Sequence, residues 1–309
     1  MKRLIFISIA IFSTLLSIAA THEETIEPDT CVYSRVFPER NDDLAWENDL
    51  VAFRAYGPAT QKRGEKSFGY DIFTKYPGKG LVLEHLYGSQ CSHANWAKVD
   101  SLKKIDKKLA HEFERSFTYH IDHGMGMDCY AVGPTLGCGV PAIMEGDSIR
   151  YPWCYSSVDI TKNGPDVFSA VLTFAPVVIG GDTIVETRTI TLRKGSHLNY
   201  SEVSYEGLSK PVTVVTGFPR RGNPPTVTSL AEGIVALADP TQGDDNGKIL
   251  VGLKVINPAE EILEKEGHTL VSTTIRPGEK LRYLWGYAWD KTDIRSLDEW
   301  AEYLSKTLE

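Results

Sequence analysis

The sequence predicts an all-β protein: a large antiparallel sandwich with a few peripheral helices. Three observations carry this. Apolar and polar residues alternate with a period of two in run after run. Those runs are rich in Val, Ile, Thr and Phe, which suit a pleated, half-buried surface. Gly, Pro, Asn and Asp separate them at short intervals. So many strands imply sheets packed face to face, and a mutarotase-like supersandwich is one form this takes.

The elements follow in order. Residues 1–19 open with Lys2 and Arg3 and continue into an apolar run from Leu4 to Ile18, with Ser17 and Ala19 at signal-peptidase spacing. This reads as a cleaved secretory signal. The run is short for a membrane span and no second one follows. A periplasmic or secreted protein is expected, with residues 20–309 as a single catalytic domain, since no linker, repeat or low-complexity tract divides it. Strands are expected at 51–56 and 68–74, from 166–178 and 183–192, and then at 197–205, 211–218, 233–238, 249–256, 269–275 and 281–289. A helix is expected over 101–115, with Leu102, Ile105, Leu109 and Phe113 on its packing face. A second begins at the Ser296/Glu299 capping box, with Leu297, Trp300, Ala301 and Leu304 at helical spacing.

Composition excludes some functions. The formal charge of −8 becomes −10 once Lys2 and Arg3 are removed with the signal, so broad nucleic-acid binding is not expected. An anionic ligand would need local Arg, Lys or a metal. The cysteines (Cys31, Cys91, Cys129, Cys138 and Cys154) are odd in number and lack zinc-site spacing. They are read as buried thiols.

One stretch resists assignment as strand or helix. YHIDHGMGMDCYAVGPTLGCG, residues 119–139, holds two His, two Asp, two Tyr, two Cys and five Gly without apolar period. Long irregular segments in compact β proteins are usually functional, and loops on rigid sheets are where sites are built. Its His120, His123, Asp128 and Tyr130 are the expected catalytic residues, the titratable types that proton transfer needs. Asp122 is expected nearby, orienting a histidine and meeting substrate. The five glycines fit a ligand cradle or a tortuous loop equally well. A second stretch, ERNDDLAWENDLVAFRAYGPA, supplies Glu47, Asn48, Arg54 and Tyr56 for substrate binding; Arg54 and Tyr56 share one strand face. A third, LRYLWGYAWDK, sets Trp285, Tyr287 and Trp289 on one face. Trp289 is the expected sugar-stacking residue, with burial in the core an equal reading for Trp285.

These three stretches resemble an exported Bacteroidetes domain family, long known only as a domain of unknown function, whose members occur among polysaccharide-utilisation proteins. The family includes an ulvan-oligosaccharide dehydratase. The resemblance implies a carbon–oxygen lyase that removes water from a non-reducing-end uronic acid to leave a 4,5-unsaturated uronate. That chemistry requires the carboxylate to be neutralised, by Arg54 with Asn48 or by a divalent metal. It also requires a base at C5 and an acid at the C4 hydroxyl, roles that suit His123 and Tyr130 with His120 as alternate. No cofactor motif accompanies it. The alternatives are a polysaccharide lyase, a glycoside hydrolase using Glu47 and Asp128, and a non-catalytic carbohydrate-binding protein.

Overall fold

A computed structural model describes residues 31–307 apart from Asp244, so the expected signal segment lies outside the described residues. The strands pair antiparallel throughout and form three sheets. The first holds β1 (Tyr33–Phe37), β2 (Asp43–Glu47), β3 (Ala52–Ala55), β4 (Tyr70–Lys75) and β5 (Gly126–Asp128) in sequence order. Five further short or middle strands follow: β6 (Ala142–Glu145), β7 (Ser148–Arg150), β8 (Ser157–Asn163), β9 (Val167–Thr173) and β10 (Val177–Ile179). The long strands are β11 (Asp182–Arg193), β12 (Leu198–Glu206) and β13 (Val212–Pro219). After β14 (Thr226–Ser229) come β15 (Ile234–Asp239), β16 (Ile249–Val255), β17 (Glu261–Lys265), β18 (His268–Ile275) and β19 (Lys280–Trp289). The large sheet runs β14-β15-β16-β19-β12-β11-β9-β8, with β10 paired to β11. The third runs β17-β18-β13-β6-β7. Every strand expected from the alternation is present.

Burial follows the period of two in β11 and β12, whereas β2, β3, β4, β15, β16 and β18 are buried on both faces. The main core gathers Trp46, Phe53 and Tyr70 from the first sheet with Phe168, Leu253 and Trp285 from the large one and Val214 and Phe218 from the third. Tyr70 stacks on Trp285 with centroids 4.3 Å apart. The opposite face of the first sheet is also buried, against Leu83, Leu86 and Tyr87 of the helix over Leu83–Gln90 and against Tyr119. That second buried face is unusual because it carries charge. Asp43, Glu47, Arg54, Asp71, Lys75 and Asp128 are all buried in this sheet. Arg54 stands directly opposite Asp71 in the β3–β4 register.

The helices hold one correction. The expected helix over 101–115 is two, His93–Lys103 and Lys107–Arg115, because Asp106 breaks the chain to cap the second by accepting from the N–H groups of Lys108 and Leu109. Its supposed packing stripe is largely outside: Ile105 and Leu109 are exposed, and Val99 and Ala110 are buried instead. The C-terminal helix, Leu297–Lys306, has its capping box and seats Trp300 and Leu304 on the large sheet. No helix among the described residues is long and apolar enough to cross a membrane.

Candidate functional site

The site is built on the charged face of the first sheet. Arg54 is buried and extends from β3 into a group of carboxylates. Its Nη2 donates to Asp71 and, at 3.0 Å, to Asp128; Asp43 Oδ2 lies 3.6 Å from Nη1. Nη1 also donates to the Tyr119 hydroxyl at 3.1 Å. The Tyr56 hydroxyl donates to Asp71 at 2.5 Å, and the guanidinium lies over the Tyr56 ring, 4.7 Å from its centroid. Three carboxylates thus face one guanidinium. Burial pushes the Asp43 carboxyl up to about 6 against the pull of Arg54 and Arg40. Burial and then the neighbouring Asp71 raise Asp128 as well.

Above this group lies a cleft of about 450 Å³ lined by Arg40, Arg54, Tyr56, Tyr119, His120, Asp128 and Tyr130, with Glu65, Lys66 and Ser67 along one rim. His120 is half exposed, with Nδ1 3.1 Å from the Asp128 carbonyl oxygen and 3.7 Å from its carboxylate. A carbonyl only accepts, so Nδ1 carries a proton, and in the neutral ring the lone pair is then on Nε2. Tyr130 is buried under the Arg221 guanidinium, 4.7 Å from its ring centroid, and its hydroxyl is shut off from solvent with Arg221 as its nearest charged partner. Burial holds its pKa well above the ordinary tyrosine value. Arg221 is itself held by Asp239 at the end of β15.

Five of the expected site residues therefore meet in one cleft: Arg54, Tyr56, His120, Asp128 and Tyr130. The structure corrects the others. Glu47 is fully buried; it accepts from Lys75 Nζ at 2.6 Å and from the N–H groups of Val82 and Leu83, so it anchors a helix start rather than a substrate. Asn48 closes a buried turn, donating to the Arg193 and Ser196 carbonyls and accepting from Leu50 and Val51. Trp289 is 1 % exposed and donates through Nε1 to the Asn246 carbonyl, so its ring is core, like those of Trp285 and Tyr287. Asp122 stitches its own loop, accepting from Tyr76, Gly124 and Gly126. His123 is exposed and lies outside the cleft. Arg54 itself is committed to its carboxylates and to Tyr119.

The cleft also holds a cation that the sequence reading passed over. Arg40 lines the cleft, donates weakly to Tyr119 at 3.4 Å, and makes no ion pair among the described residues. The chain reverses there through left-handed Asn41 and Asp42, and that turn sits beneath the signal that could have found it, the charged cluster at 39–43. Asp71 was missed as well, although a carboxylate at the strand position opposite a buried Arg is its expected partner.

The glycine-rich stretch turns out partly regular, since β5 pairs with β4. Gly126, at φ 118°, lies so close to the Thr74 carbonyl that an added Cβ would sit 1.9 Å from it, so its role is packing. Cys129, Cys138 and Cys154 are buried thiols; burial pushes Cys154 up to about 11 and Cys129 to about 12. Among the described residues no three His, Cys, Asp or Glu side chains are arranged to hold a metal ion.

Comparison with known proteins bears on family. The chain is 28 % identical over 288 residues to "Uncharacterized protein P7" of Formosa agariphila, a match covering 91 % of this chain and 68 % of that protein. A solved α-galactosidase of family GH36, AgaB from Geobacillus stearothermophilus, aligns over 82 % of this chain at 9 % identity and a TM-score of 0.37; the chain spans 41 % of its length. Residues 15–309 match the family described as a domain of unknown function (DUF4861), and to that family the chain belongs.

Proposed function

We propose that this protein is a carbohydrate-active lyase that eliminates water from a uronic acid at the non-reducing end of an oligosaccharide, of the ulvan type, outside the cytoplasm. The observation that carries the reading is the shared cleft. A histidine backed by a buried aspartate, a tyrosine beneath an arginine and a second arginine without an ion-pair partner among the described residues all line it.

Elimination uses each of them. Arg40 meets the substrate carboxylate and offsets the charge that builds on it as the C5 proton leaves. His120 Nε2 takes that proton, and its Nδ1–H, anchored on Asp128, holds the ring in the basic tautomer. The C5–H electron pair becomes the C4=C5 double bond and the C4–O bond breaks. Tyr130, kept protonated by burial, gives its proton to the departing hydroxyl, which leaves as water. Return of the proton from His120 to Tyr130 by way of the released water resets both groups. Arg54 and its carboxylates keep Asp128 in place beneath the histidine.

The test is a panel of oligosaccharides ending in a saturated uronic acid. Ultraviolet absorbance of a new double bond, with loss of one water and an unshortened chain by mass spectrometry, is the expected result. Absorbance with shortened chains would make the leaving group a sugar. Intact masses and no absorbance across the panel would overturn the reading.

A further inference from the structure

A second cavity of about 480 Å³ lies beside the cleft. Its wall carries Tyr151, Trp153 and Phe174. Trp153 is 41 % exposed, one of few large apolar side chains so open. Its edge is braced by Phe68, with centroids 5.3 Å apart, and Phe68 in turn contacts Tyr151 at 5.6 Å. An indole held in a concavity by Phe68, which Tyr151 backs in turn, is a preorganised flat apolar surface, and Arg150 and Gln61 add polar groups around it.

The two cavities share no lining residue, but their rims are neighbours in the chain. Glu65, Lys66 and Ser67 rim the cleft, and Phe68 is the next residue, about 3.8 Å on by Cα spacing. A narrow gap between them shares Tyr56 and Ser67 with the cleft and Trp153, Cys154 and Phe174 with the groove.

We infer that this groove is a second carbohydrate site: Trp153, braced by Phe68, stacks on a pyranose ring further along the glycan whose end occupies the cleft. The inference rests on the elimination reading for what fills the cleft. Pyranose rings suit it because they present a CH-rich face to an aromatic plane and hydroxyls to the polar rim. The consequence is a preference for longer chains.

The test is calorimetric titration of the whole mature protein with di- and tetrasaccharides ending in a uronic acid and with neutral cello-oligosaccharides. The tetrasaccharide should bind roughly five- to ten-fold tighter than the disaccharide, the worth of one aromatic contact. Trp153→Ala should erase that gap, Trp153→Phe should keep most of it, and Arg40→Ala should weaken both lengths alike. Circular dichroism establishes that each variant is folded, and Tyr151→Ala serves if Trp153→Ala is not. Equal affinities for both lengths, unmoved by Trp153→Ala, would overturn the groove while the cleft reading stands. If no uronate-ended chain binds but cellotetraose does, and Trp153→Ala abolishes it, the elimination reading falls and the groove stands. No binding of any probe overturns both.

Discussion

Glu47→Ala separates a structural role from a substrate-binding one. Glu47 and Lys75 are both fully buried, and their side chains meet at 2.6 Å. Lys75 Nζ also donates to the carbonyls of Asn48 and Gly80, at 2.7 and 2.8 Å. Glu47 receives the N–H groups of Val82 and Leu83, at 2.9 and 2.8 Å, where the helix over Leu83–Gln90 begins. Removing the carboxylate leaves a buried ammonium whose charge nothing neutralises, together with two unsatisfied donors. Breaking a buried pair from one side costs about 3–5 kcal/mol. At about 2.1 cal/mol/K of unfolding entropy per residue over 31–307, about 4 kcal/mol lowers Tm by about 7 °C. Thermal and urea unfolding, followed by tryptophan fluorescence, reads this out. Glu47→Ala with Lys75→Met should recover roughly half the loss, since no charge then remains buried, though the helix start stays uncapped. An unchanged Tm with a raised KM on uronate-ended oligosaccharides would refute the argument and return Glu47 to the substrate.

Other outcomes follow from the same geometry. His120→Ala and Tyr130→Phe should each lower kcat by at least about 100-fold while leaving oligosaccharide affinity within a few-fold, and His123→Ala should leave turnover near wild type; loss of turnover in His123→Ala alone would reverse the assignment. Asp43 binds its proton more tightly folded, at about 6, than unfolded, near 3.8. Its contribution to stability is therefore present below pH 4 and lost as pH rises through 6, a swing of about 3 kcal/mol. Asp43→Asn lacks that titration, so its stability relative to wild type should improve between pH 4 and 7 by up to that amount; parallel stability–pH curves would contradict it. Gly126→Ala should cost at least about 2 kcal/mol, because the new Cβ meets the Thr74 carbonyl and unseats β5, which carries Asp128. A Tm unchanged by that substitution would show that the strand edge yields.

The strands were legible from residue order alone because alternation records which side of a sheet faces a core. Asp182–Arg193 and Leu198–Glu206 show this. The C-terminal helix was legible too, since a capping box is a local device spanning four residues. The helix break at Asp106 was not, because an apolar stripe across it mimicked a single packing face. The sequence marked the stretches 39–59 and 119–139 as chemically dense, and both border the cleft. It could not say which members point inward. Glu47, Asn48 and Trp289 have the same side chains in a core as in a binding site, and only the partners 28 to 145 residues away decide between them. Arg54 opposite Asp71, and His120 over Asp128 beside Arg40, are likewise facts of register and chain reversal. What the order of residues determined was the period of each strand and the supply of titratable groups. What the tertiary structure alone decided was which of those groups are desolvated against a partner and which are left open to a ligand, because burial and pairing depend on contacts between segments far apart in the chain.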